Sequence, residues 1–164
     1  MKTIFLLFAT TVLLRMMSSD PKTLRADEFQ LEWSHNGEEV RFTLSAPTSG
    51  WVAVGFTEGR RIEDTNLIQG CFREGEVFVQ DQYATGFGEH PPVEALGVPS
   101  RISNIHGKQQ DGNTIISFSI HREKLDKLHY DLSEGREINV WLAYSVSDDF
   151  DHHSRKRILR SIKL

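Results

Sequence analysis

The chain has 164 residues, a length that fits one domain, with 38% hydrophobic and 26% charged residues and a formal net charge of −4. This is the composition of a globular protein with no basic excess to hold a phosphate backbone, which argues against nucleic acid as a partner. The single cysteine, Cys71, can form no intrachain disulfide and supplies too few thiolates for a cysteine-based zinc site; it reads as a small buried hydrophobe on a strand.

Met1-Lys2 opens a segment whose apolar run, Thr3 to Leu14, ends at Arg15. A run of about 12 residues is short of the roughly 20 that a spanning helix needs, and the basic start is that of an export leader. Residues 1–26 are therefore read as leader and 27–164 as the domain. Ser19 and Ala26 are both candidates for the last leader residue, and an uncleaved anchor is a third option. The expected location is extracytoplasmic: secreted, periplasmic or tethered through an uncleaved leader.

From Phe29 onward the pattern has the period of strands. Phe29 to Trp33 alternates apolar and polar, Asn36-Gly37 suits a tight turn, and Val40 to Leu44 alternates again, which predicts a hairpin. Trp51 to Phe56 is apolar on both faces, as a central covered strand should be. Further strands are expected at Leu67 to Phe72, Val77 to Asp81, Ser100 to Ile105, Thr114 to Ile120, Ile138 to Tyr144 and Ile158 to Leu164. Turn signals such as Glu74-Gly75, Asp111-Gly112 and Glu134-Gly135 separate them. Leu125, Leu128 and Leu132 suggest a short helix or an irregular crossover over His121 to Leu132. The result is an all-β antiparallel sandwich with about nine strands.

Three blocks carry more than the fold. They are Gly50-Trp51-Val52-Ala53-Val54-Gly55-Phe56, the stretch Val79-Gln80-Asp81-Gln82-Tyr83-Ala84-Thr85-Gly86, and Asp149-Phe150-Asp151-His152-His153-Ser154-Arg155-Lys156-Arg157. In this order and spacing the chain resembles the DOMON domain family over roughly Phe29 to Leu164. The resemblance implies an immunoglobulin-like β-sandwich of about nine to eleven strands, extracytoplasmic, binding b-type haem or a sugar.

In haem-binding relatives one axial ligand is a methionine shortly after the Gly-Phe strand and the other is the tail histidine. Carried over, the resemblance puts His153 at the histidine and metal-ligand position, Arg157 beside a propionate, and Ile62 where the methionine would stand. The chain's methionines are Met1, Met16 and Met17, all in the expected leader, so a methionine–histidine pair is excluded. A bis-histidine site, a histidine–lysine site, a five-coordinate haem, or no haem remain. His90, in the Gly86 to Pro92 loop, is the favoured second histidine. His35, His106, His121 and His129 are the other candidates, the last three expected at the surface. His152 is disfavoured because neighbours on a strand face opposite ways. Trp51 could stack on a flat ligand.

The expected function is thus haem binding and electron transfer with a redox partner protein or membrane cytochrome, without catalytic machinery of its own. The pocket is expected between the stacked sheets at one end, roofed by the Thr57 to Asp64 and Tyr83 to Pro92 loops. Three alternatives stay open, one of them a scaffold or interaction domain with no small ligand. Trp33, Trp51 and Trp141 could serve a carbohydrate, and Asp148, Asp149 and Asp151 with the two histidines could hold a divalent cation. Asp81 is read as a structural cap. No nucleophile elbow, phosphate loop or His-Glu-x-x-His helix is present.

Overall fold

Alternating sequences become strands here because each buries one face and solvates the other. The computed structural model describes residues 19–164, and residues 1–18 of the expected leader lie outside them. The strands are β1 (Lys22–Ala26), β2 (Phe29–Asn36), β3 (Glu39–Ala46), β4 (Val52–Thr57), β5 (Asn66–Arg73), β6 (Glu76–Tyr83), β7 (Ile102–Gln110), β8 (Asn113–His121), β9 (Glu137–Tyr144) and β10 (Lys156–Lys163). They form two five-stranded antiparallel sheets, ordered β1-β2-β3-β8-β7 and β10-β9-β4-β5-β6. Among the described residues no helix is long and apolar enough to cross a membrane.

The first strand falls inside the span read as leader. It pairs with β2 from Lys22 opposite Trp33 to Ala26 opposite Phe29. A leader ending at Ser19 keeps this edge strand, whereas one ending at Ala26 removes it. At the other edge, β7 extends to Gln110, because a bulge between Ser103 and His106 resets the alternation that the sequence pattern relies on.

The apolar faces of both sheets meet in one core. Phe42 on β3 lies 4.9 Å from the Phe56 ring on β4 and 5.7 Å from Phe118 on β8. Leu31, Val40, Val54, Val140 and Leu142 are fully buried around them. The expected cleft between the sheets is therefore corrected: that space is filled by interdigitated side chains, as close-packed interiors require. Trp33 is part of this core, so it offers no exposed platform for a sugar.

Residues 121–132 form the irregular crossover, without a helical turn, and the reason is a buried charge cluster. Asp126 Oδ1 accepts the backbone N–H groups of Leu128 and His129 at 2.9 and 3.1 Å, which holds the chain in a turn that competes with helix. His129, expected at the surface, is instead 3% exposed. Its Nε2 lies 3.0 Å from Asp81 Oδ2 and its Nδ1 2.9 Å from the Asp126 carboxylate. Burial alone would lower the His129 pKa, but the hydrogen bonds and charges of Asp81 and then Asp126 outweigh it and hold it above the ordinary value. Asp81 also accepts from Asn66 Nδ2 at 2.7 Å, Ser100 Oγ at 3.2 Å and Arg101 N at 2.9 Å. It thus clamps β5, β6, the segment before β7 and the crossover.

Candidate functional site

The site is built on the outer face of the second sheet. On β4, Val52, Val54 and Phe56 point into the core, so Trp51, Ala53 and Gly55 face outward. In register across the strands, Arg157, Ala143, Ala53 and Gln69 form one row, and Leu159, Trp141, Gly55 and Leu67 form the next. Ala143 and Ala53 at the centre of the first row leave a hollow between the larger residues, whereas the space over Gly55 in the second row is taken by Thr65 and Leu67. Gly55 is required there, since a Cβ would stand 2.6 Å from Thr65 Cγ2 and 2.7 Å from Leu67 Cδ2. Gly50 is required by the backbone: a Cβ would lie 2.5 Å from Ser145 O. We expect Gly55→Ala to lower stability by about 1–3 kcal/mol, read as an earlier denaturant midpoint at unchanged slope.

Loops raise walls around this floor and enclose a cavity of ≈ 370 Å³. Ile62 enters from the β4–β5 loop, Phe87, Gly88 and His90 from the segment after β6, and Asp151 to Arg157 from the segment leading into β10. The β4–β5 loop is tied down by Trp141 Nε1 donating to Arg61 O at 3.2 Å, by Asn139 Nδ2 donating to Gly59 O at 2.9 Å, and by Tyr130 Oη donating to Asp64 O. The tail segment is held by Ser145 Oγ donating to His153 O at 3.1 Å and by Arg155 N donating to Tyr144 O at 2.8 Å.

The five residues favoured from the sequence as cofactor contacts, Trp51, Ile62, His90, His153 and Arg157, all line this one cavity. Both roofing loops take part, but the cavity opens on the outside of one sheet. His153 is an exposed residue on its wall, and its ring has no hydrogen-bond partner among the described residues. His90 is half-buried, with Nδ1 3.0 Å from Gln82 Oε1. His152 also lines the cavity, because residues 152 and 153 lie in a loop before β10 and the alternation argument does not apply to them. His35 is buried against Leu132 O at 2.9 Å, while His106 is exposed on β7 and His121 half-buried on β8; none of the three lines the cavity.

Three cations, Arg155, Lys156 and Arg157, give the rim a positive arc. Lys156 Nζ is already paired with Asp27 and Glu28 at 3.5 and 3.4 Å. Arg157 is exposed and has no ion-pair partner among the described residues. The tail carboxylates do not converge. Asp149 Oδ1 accepts Asp151 N at 3.0 Å to close a turn, Asp151 lines the cavity, and Asp148 lines a separate hollow beside Cys71 and Arg73. Among the described residues no three His, Cys, Asp or Glu side chains are grouped to hold a metal ion.

Sequence reasoning missed part of the floor and one wall. Trp141, read mainly as core, is half-buried and lines the cavity, and Ala53, Ala143, Leu67 and Phe87 were not singled out. No local signal marked them: Trp51 to Phe56 is apolar on both faces, and the outward one carries the large Trp51 beside the small Ala53 and Gly55.

The sequence matches the DOMON domain family over residues 25–145. A shorter stretch, 67 residues or 41% of the chain, is 27% identical to the MOXD1 homolog 2 of Drosophila melanogaster, of which the chain spans 9%. The fold is similar to the cytochrome domain of Myriococcum thermophilum cellobiose dehydrogenase, with TM-score 0.63 and 12% identity, covering 88% of this chain and 81% of that one. It is also similar to the cytochrome b domain of pyranose dehydrogenase from Coprinopsis cinerea, with TM-score 0.60 and 11% identity, covering 81% of this chain and 76% of that one. At such identities the likeness concerns the fold alone. The two packed antiparallel sheets, the Gly-Trp to Gly-Phe strand at the centre of the second, and the match across most of the sandwich together place this chain in the DOMON family.

Proposed function

We propose that this domain binds a b-type haem in the cavity on the outer face of the second sheet and works outside the cytoplasm as an electron-transfer accessory to a redox partner. The observation that carries the reading is that His90 and His153 line one cavity, beside Ile62 at the position the family resemblance gives to the methionine ligand. The donor chemistry fits. Imidazole is an established axial ligand, an aliphatic side chain has no lone pair to give, and residues 19–164 contain no thioether. The cavity volume falls within the range usual for small-molecule and cofactor sites, roughly 300–1,000 Å³.

Bound haem would supply a one-electron iron couple. The chain's own contribution is to position and insulate it. Trp51, Ile62, Leu67 and Trp141 offer apolar surface to a flat ring. Arg157, without an ion pair among the described residues, is suited to offset a propionate carboxylate. His90 and His153 each offer the cavity an imidazole nitrogen as a donor. A partner protein, soluble or a membrane cytochrome, would give and receive the electrons.

The test is a haemin titration of purified protein. The expected result is a Soret band of protein-bound, low-spin haem that His153→Ala abolishes, with the variant's far-UV circular dichroism unchanged. A wild-type spectrum identical to that of free haemin would overturn the proposal.

A further inference from the structure

We infer that Gln82 is a positioning residue that presets His90 as the second axial ligand, by fixing which ring nitrogen carries the proton. The inference rests on the haem reading of the cavity and deepens it. Gln82 lies on β6 with its side chain 3% exposed, in register with Leu67 on the cavity floor. Its amide Nε2 donates to Gln80 Oε1 at 2.8 Å. With the NH₂ group so engaged, the atom facing His90 is Oε1, which can only accept, and it stands 3.0 Å from His90 Nδ1.

Nδ1 therefore carries the hydrogen, and Nε2 keeps the lone pair. Nε2 has no hydrogen-bond partner among the described residues, and the ring lines the cavity. This is the arrangement expected of a histidine prepared to coordinate. One ring N–H donates to a fixed acceptor, which selects the tautomer, orients the ring and raises the basicity of the other nitrogen. Backbone bonds from Tyr83 N to Pro91 O at 3.0 Å and from Thr85 N to Glu89 O at 3.0 Å close the loop around the same point, so ring and amide are positioned together.

The acceptor's identity then sets two measurable properties. Gln82→Leu removes it, frees the tautomer and should weaken haem binding by about 10–100-fold. Gln82→Glu keeps the shape and strengthens the acceptor, so haem should stay bound with a more negative reduction potential, because a more basic imidazole favours ferric iron.

Two measurements test this. Long-range ¹H–¹⁵N correlation on the haem-free protein reads the tautomer directly: Nδ1–H is expected for His90 in the wild type, with loss of that preference in Gln82→Leu. Haemin titration and potentiometry on the wild type, Gln82→Leu, Gln82→Glu and His90→Ala read the consequence. An Nε2–H tautomer in the wild type, or His90→Ala retaining the wild-type low-spin spectrum, overturns the inference while leaving haem binding intact. So does Gln82→Glu binding haem at an unchanged potential. A wild-type spectrum identical to that of free haemin removes the haem reading and this role with it.

Discussion

Asp81→Ala is expected to destabilise the domain by about 3–5 kcal/mol, the usual cost of breaking a buried charge pair by removing one partner. The side chain of Asp81 is fully buried beside His129. Its removal would strand the imidazole and also leave Asn66 Nδ2, Ser100 Oγ and Arg101 N without the acceptor they share. For a domain of this size such a loss lowers the melting temperature on the order of 10 °C. Thermal unfolding followed by circular dichroism checks it, and a fall of less than about 1 kcal/mol would show that the cluster is dispensable.

The same cluster predicts the direction of the pH dependence. The His129 pKa is raised above its ordinary 6.5, so its contribution to stability is complete below that pH and is lost as pH rises through the higher folded value. Asp126 titrates the other way. Burial alone would raise it, but the His129 side-chain hydrogen bond and the backbone donors of Leu128 and His129 prevail and lower it below 3.8. Its contribution is present above 3.8 and lost as pH falls through the lower folded value. The cluster therefore stabilises most between those limits, in mildly acidic solution. Stability measured from pH 5 to 9 should decline through the alkaline half in the wild type, and the decline should be flatter in Asp81→Asn.

The second large effect concerns binding. Ala143→Phe is expected to abolish haemin binding, by at least about a hundredfold or ~2.7 kcal/mol, while changing stability by less than about 1 kcal/mol. Ala143 lies in register between Arg157 and Ala53 at the centre of the cavity floor and is only half-buried. A phenyl ring there grows into the hollow, away from the packed core, so the usual cost of overpacking does not arise. Calorimetric titration with haemin beside a denaturation curve separates the two effects. Undiminished binding would place the ligand elsewhere on the domain.

The strands and turns were legible in the sequence because a half-buried strand advertises itself by period-two alternation, as in Phe29 to Trp33 and Val40 to Leu44. The family resemblance, read from the Gly-Trp to Gly-Phe strand and the Asp149 to Arg157 block, further pointed to His153, Arg157 and Ile62, and the loop position of His90 singled it out. Where alternation fails, so does the reading. Trp51 to Phe56 is apolar on both faces, and nothing in its pattern says which face a second sheet will cover and which will remain hollow.

The sequence by itself determined the fold class, the family and the inventory of donors, including the lack of a thioether in residues 19–164. Only the tertiary structure decided that the cavity lies outside the second sheet, that His129 is buried between two carboxylates, and that Gln82 reaches His90. These features depend on residues such as Ala53 and Ala143, or Asp81 and His129, that are far apart in the chain and become neighbours through strand register and loop closure. Local hydrophobic periodicity reports the amphipathicity of one strand at a time and carries no information about which distant side chain will stand opposite.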